Sequence, residues 1–284
     1  MRRPARPRVA MFHGGGSTSK IFQMQCESIE QQLASRFELV YFDAPFQSSP
    51  GKGILPFFSF EEWGPYLSWF TNSEDGEEYL DGTAGNYDDE EGIERIIRLM
   101  RESGPGGKWV GCLGFSQGTR VVAGLLMWQQ LRNNKGVEVE QNIDLQFGVL
   151  CMGAYSPMIS TIPECKSFSY YSNSPFTSPL YPSANKLKYH IDIVFLSALL
   201  EWDGKNPSRN LARKDELIKI PTLHLHGLKD SFLSQARSQM KNHFDPNTIT
   251  CIEIDYHHAM PWRKTDVGLL VEKIEMMPFS VDSI

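Results

Sequence analysis

The chain has 284 residues, a formal net charge of -6, 41% hydrophobic residues and 22% charged residues. That length allows one large α/β domain or two small ones, and the composition excludes a disordered chain. The acidic balance speaks against nucleic acid as a partner, because such binders usually carry a basic domain. The longest apolar stretches, 121–128 and 193–200, fall far short of the roughly 20 residues that span a bilayer, so no membrane span is expected. Five cysteines without a tight spacing pattern make neither a disulfide framework nor a zinc site. Residues 1–8 carry four arginines and two prolines and lead straight into an apolar run. They lack the long apolar core and cleavage site of a signal peptide. A frayed basic tail on a reduced, cytoplasmic protein is the expectation.

In chain order, strands are predicted over 9–13, 38–42, 109–115, 145–152, 222–226 and 248–255. Helices are predicted between them over 22–35, 88–102, 117–132, 233–243 and 265–276. Ile93, Ile96, Ile97 and Met100 sit at helical spacing and give the second helix one apolar face. Strands apolar along their whole length, each followed by a helix, indicate a mostly parallel sheet covered on both faces. Right-handed crossovers then give a doubly wound sheet of about six strands.

Two stretches break the alternation: 47–86, rich in Pro, Gly, aromatics and acids, and the longer 155–219. Loops of this length are usually functional or carry small structure of their own. One domain over 1–284 with these two lid-like insertions accounts for the chain better than two domains. In the first insertion Trp63, Tyr66, Trp69 and Phe70 fall at helix-like spacing, either as a packing stripe or as a substrate pocket. In the second, 187–202 reads as a helix apolar on most sides. Both insertions are expected near the carboxyl ends of the strands, where open α/β sheets bind ligands.

Gly114-Phe115-Ser116-Gln117-Gly118 matches the nucleophile-elbow pattern G-x-S-x-G. It follows a predicted strand and opens a predicted helix, the setting that its geometry requires. The glycines let a strained turn form, which lifts the Ser116 hydroxyl above the sheet beside a helix N-terminus. A serine hydroxyl is a poor nucleophile at neutral pH and needs a base, which in turn needs an orienting acid. Both follow in order on post-strand loops: Asp230, then the pair His257-His258. Asp192 and Asp203 lie in an insertion and Asp255 at a strand end, so each is a weaker candidate. The oxyanion donors expected are the amide of Gln117 and one from the loop His13-Gly14-Gly15-Gly16. That loop lacks the Lys and spacing of a phosphate loop, and no dinucleotide-binding glycine pattern is present. His13 and His226 are read as structural strand-end residues. No pair of His, Cys or acids stands at metal-ligand spacing, so no metal is expected.

Six motifs in order carry a resemblance: Phe12-His13-Gly14-Gly15, Ile21-Phe22 followed by Gln25, Phe42-Asp43-Ala44-Pro45, the elbow, His226-Gly227-x-x-Asp230 and His258-x-x-Pro261. Together they resemble the fungal family of serine hydrolases related to the human ovarian-cancer-gene-2 protein. The match is nearest to its polyketide-releasing thioesterases of the lovastatin-pathway type, and it covers about 9–271. The resemblance implies an α/β-hydrolase core and ester or thioester hydrolysis without a cofactor. It implies Ser116 as nucleophile, Asp230 as acid, His258 as base, and the Gly15 and Gln117 amides as oxyanion donors. It also implies a transient partner, the acyl carrier domain of a polyketide synthase. The sequence departs from the family at Tyr256 and His257, where two glycines are common, and in a long insertion around 163–203.

Overall fold

Successive side chains of the first strand point to opposite faces, and both faces are apolar. In β1 (Arg8–Phe12), Val9 and Met11 enter one core while Ala10 and Phe12 enter the other. A strand so patterned must lie between two helical layers. The computed structural model describes residues 5–72, 92–136, 142–158 and 217–279, and it contains that sandwich.

Chain order is β1, α1 (Ser19–Leu33), β2 (Glu38–Phe42), β3 (Phe46–Ser48), α2 (Phe60–Trp63), β4 (Tyr66–Ser68) and α3 (Ile93–Glu102). Then come β5 (Trp109–Phe115), α4 (Gly118–Asn134), β6 (Ile143–Cys151), β7 (Thr222–Gly227), α5 (Leu233–His243), a 3-10 turn, β8 (Ile249–Ile254) and α6 (Lys264–Glu275). Six strands form one sheet in the order β2-β1-β5-β6-β7-β8, and every neighbouring pair is parallel. β3 and β4 form a separate antiparallel pair. The six predicted strands agree with the observed ones within two residues at each end.

Phe22, Cys26, Ile29 and Leu33 of α1 share one core with Leu270 and Ile274 of α6. Ile93, Ile96, Ile97 and Met100 of α3 share the other with α4, the predicted apolar face turned inward. α4 is buried almost all round, and two amide side chains anchor it. Gln129 donates to the Leu145 carbonyl and accepts from its amide, both at 2.7 Å. Gln130 does the same between Leu217 O and Lys219 N. Among the described residues no helix is long and apolar enough to cross a membrane.

Two expectations need correction. The basic tail is not wholly frayed: Arg8 is buried, donating to Gly107 O at 2.8 Å with its guanidinium over the Trp109 ring, and Arg6 bonds Ala34 O. Trp63, Tyr66, Trp69 and Phe70 do not share a helix, because α2 ends at Trp63, Gly64-Pro65 turns the chain, and Tyr66 opens a strand. Tyr66 and Trp69 are buried, with Tyr66 Oη donating to Phe58 O and Trp69 Nε1 to His13 O. Phe70 lies in the core under the Arg120 guanidinium, and Trp63 stacks edge-on to Phe58. These four side chains therefore hold the first insertion onto the body. Cys26, Cys112 and Cys151 are free and buried and Cys251 is free and exposed, whereas Cys165, the helix expected over 187–202, Asp192 and Asp203 lie outside the described residues.

Burial sets a pH dependence. Desolvation pushes His224 down to about 3, helped by the neighbouring His226, and pushes His243 down to about 4. Each is neutral when folded but accepts a proton near its ordinary value of about 6.5 once the chain unfolds. The unfolded state therefore binds more protons as pH falls below about 6.5, and folding stability falls with it. Between pH 7 and pH 5 the two histidines together should remove about 4 kcal/mol. Urea unfolding at the two pH values checks this, and His243→Gln should flatten about half of the slope.

Candidate active site

The chain reverses its direction of travel across the sheet between β1 and β5, and side chains after the carboxyl ends of four strands converge there. Such switch points are where open α/β sheets bind ligands. β5 delivers Ser116, β7 delivers Asp230, β8 delivers His258 and β1 delivers the glycine loop.

Ser116 has a φ of 51°, a left-handed conformation that costs a non-glycine residue about 1–3 kcal/mol. The two flanking glycines are dictated by contact. A Cβ on Gly114 would lie 2.3 Å from Gly118 O, and one on Gly118 would lie 2.1 Å from Phe12 O. β5, the start of α4 and the end of β1 are thus packed backbone on backbone. Ser116 N donates to Cys151 O at 2.9 Å, and Thr119 Oγ1 donates to Ser116 O at 2.6 Å.

His258 Nε2 lies 2.7 Å from Ser116 Oγ, and His258 Nδ1 lies 2.7 Å from Asp230 Oδ2. The Asp230 side chain is almost fully buried, and its second oxygen accepts from Phe232 N at 2.8 Å. The rings of Phe115 and Phe232 flank the imidazole at 5.2 and 5.1 Å. His257 is exposed, and Asp255 pairs with Lys229 at 2.8 Å instead of entering this centre. Tyr256 fixes the loop: its Oη accepts from Trp262 N and Arg263 N, at 3.2 and 2.8 Å. A serine, an imidazole and a carboxylate so connected can move the serine proton onto Nε2 while Nδ1–H stays on the acid.

The glycine loop runs beside the elbow. A Cβ on Gly14 would lie 3.3 Å from Ser116 Cβ, and one on Gly15 would lie 3.1 Å from the Gln117 side chain. Among the described residues neither the Gly15 nor the Gln117 amide donates a hydrogen bond. His13 is held for structure, its Nε2 accepting from Ala44 N at 3.1 Å and its Nδ1 donating to Gly14 O at 2.7 Å. Burial lowers its pKa and keeps it in that neutral form.

A family model described as serine hydrolase (FSH1) matches residues 1–268. The chain belongs to this family. Curated relatives of the serine hydrolase include esterase citA of Monascus ruber, 31% identical over 94% of this chain and 90% of its own length. Esterase claE of Penicillium crustosum is 30% identical over 94% of this chain and 91% of its own. Acyl-protein thioesterase 2 of Zea mays is 13% identical, covers 97% of this chain and 95% of its own, and superposes with a TM-score of 0.50, a likeness of fold. The α/β-hydrolase fold follows from the parallel sheet and these neighbours.

One feature of this FSH1 hydrolase was not legible in its sequence. The Gln117 side chain reaches the first insertion: Nε2 donates to Ser68 Oγ at 3.0 Å, and Oε1 accepts from Trp69 N at 2.9 Å. β4 is stitched to the glycine loop as well, Gly16 N donating to Leu67 O and Leu67 N to Ser17 O. Gln117 thus ties the elbow to the strand that holds the glycine loop. Gln117→Ala keeps its own amide but releases that tie, and should lower kcat about 10- to 100-fold, since ångström displacements at a reacting centre have that effect. Steady-state kinetics check this, and an unchanged kcat would show that the loop needs no side-chain anchor.

The reading that no metal-ligand spacing exists also needs amending. Pairing of β7 with β8 gathers His226, Cys251 and Glu253 within 4.8 Å of one another. Spacing along the chain could not reveal a cluster split over two strands.

Proposed function

We propose that the protein hydrolyses an acyl thioester or ester through a covalent acyl-Ser116 intermediate. The observation that carries the reading is the unbroken contact chain Asp230–His258–Ser116, 2.7 Å at each step. His258 Nε2 takes the Ser116 proton as Oγ attacks the acyl carbon. The Gly15 and Gln117 amides receive the developing oxyanion, which in a dry site stabilises the transition state by several kcal/mol. His258 then gives its proton to the leaving thiol or alcohol, and next activates water to release the acid.

The physiological substrate we propose is a polyketide chain carried on the acyl carrier domain of a synthase. Support comes from the ordered motifs shared with polyketide-releasing thioesterases. The first insertion supports an acyl-binding lid, but through other residues than the aromatic row. Leu55, Phe57 and Phe60 are 53%, 80% and 59% exposed. Their segment is tied to the glycine loop by Gly51 N to Gly16 O, and to the Asp230 loop by Lys52 Nζ to Ser231 Oγ. The naming of the relatives as esterases favours a second reading: cleavage of a small oxygen ester.

A series of acyl thioesters from acetyl to octanoyl separates the two. Each methylene buried under such a lid adds roughly 0.8 kcal/mol, about fourfold in binding. Rates should climb steeply along the series and then level off. A flat profile, or best activity on acetyl esters, rejects the lid and favours the small ester.

A further inference from the structure

β8 is the edge strand, and its outward row is not the one packed on α1 and α6. Ile252 and Ile254 fill that core, whereas Cys251 and Glu253 stand together on the opposite face. β7 runs parallel beside it with His226 in register with Glu253. The result is three different donor types at one point. Cys251 Sγ lies 3.7 Å from His226 Nδ1, and His226 Nδ1 lies 3.5 Å from Glu253 Oε1. A tetrahedral zinc ion with bonds of about 2.3 Å to sulfur and about 2.0 Å to nitrogen and oxygen requires ligand atoms about 3.3–3.6 Å apart. Two of the three separations are already close to that spacing, and all three ligand atoms lie within 4.8 Å of one another.

We propose that His226, Cys251 and Glu253 form a zinc-binding site that clips β7 to β8. Thiolate with imidazole selects zinc over magnesium or calcium, which take oxygen donors. His226 is buried and fixed, while Cys251 is exposed and admits the ion from solvent, with water as the fourth ligand. Arg237 is the charged neighbour that matters. It donates through Nε to Glu253 Oε1 at 2.8 Å and through Nη2 to Oε2 at 2.9 Å. A carboxylate oxygen has two acceptor positions, so Oε1 can take the ion while Arg237 keeps its hold on Oε2 and orients the ligand from outside. The clip joins the two strands from whose ends Asp230 and His258 emerge, so its expected consequence is stability of that end of the sheet.

The test uses the full chain, stripped of metal, with cobalt(II) as the spectroscopic probe and zinc as competitor. Wild type should take up one cobalt per chain with a thiolate-to-metal charge-transfer band that zinc abolishes. Zinc at a hundredfold excess over its dissociation constant should raise Tm by about 5 °C. Cys251→Ser should lose the band and the shift, and Glu253→Gln should bind zinc at least about tenfold more weakly. Both variants should keep wild-type esterase rate and Tm in metal-free buffer. No band in wild type, a band that survives Cys251→Ser, or an equal Tm shift in that variant overturns the site.

Discussion

Ser116→Ala should lose nearly all turnover, by about a millionfold, while keeping its fold and its affinity for the acyl substrate. The size follows from removing the proposed nucleophile of a unit whose members act together, with the oxyanion donors leaving a small residual rate. The fold should survive because the elbow's own contacts are backbone contacts: Ser116 N to Cys151 O and Thr119 Oγ1 to Ser116 O need no hydroxyl at position 116. Alanine also keeps the φ of 51° at about the same energetic cost. Turnover on the best thioester, thermal melting and calorimetric binding of the acyl substrate check the three parts, and labelling by a fluorophosphonate probe checks the nucleophile. Wild type should be labelled and the variant should not. A variant that hydrolysed its best ester at a rate near wild type would move the nucleophile elsewhere.

What could be read from the sequence was what one local pattern specifies. Val9 to Phe12, apolar on both faces, could only be an interior strand, and the glycines of the elbow sit where a strand meets a helix. Asp230 and His258 follow because each comes just after an apolar run in the order that the chemistry requires. What could not be read depends on contacts between distant segments. Gln117 meets Ser68 and Trp69 some 48 residues earlier, and no periodicity links them. His226 and Glu253 face each other only through the register of β7 on β8. The aromatic row from Trp63 to Phe70 carries a contrary signal within the sequence itself. Gly64-Pro65 is a turn dipeptide, and a helix period cannot pass through it.

The adjacent histidines give the second large expected effect. His258→Ala should cost about 10,000-fold or more in kcat, while His257→Ala should leave turnover within a few-fold of wild type. The loop bends at these residues, and the Ala259 amide closes a tight turn onto the His257 carbonyl, so the two side chains point in different directions and only one faces Ser116. Tyr256, buried and clamped by the Trp262 and Arg263 amides, fixes which one. With Tyr256 inward, His257 turns out to solvent and His258 turns back between Phe115 and Phe232, where Ser116 and Asp230 meet its two nitrogens. The same argument predicts that His257→Gly, which restores a glycine common in the family, does not repair His258→Ala. Kinetics of the two single variants and the double decide it. If His257→Ala were the severe change, the proposed base would move to His257 and the loop would have to turn over around Tyr256 when substrate binds.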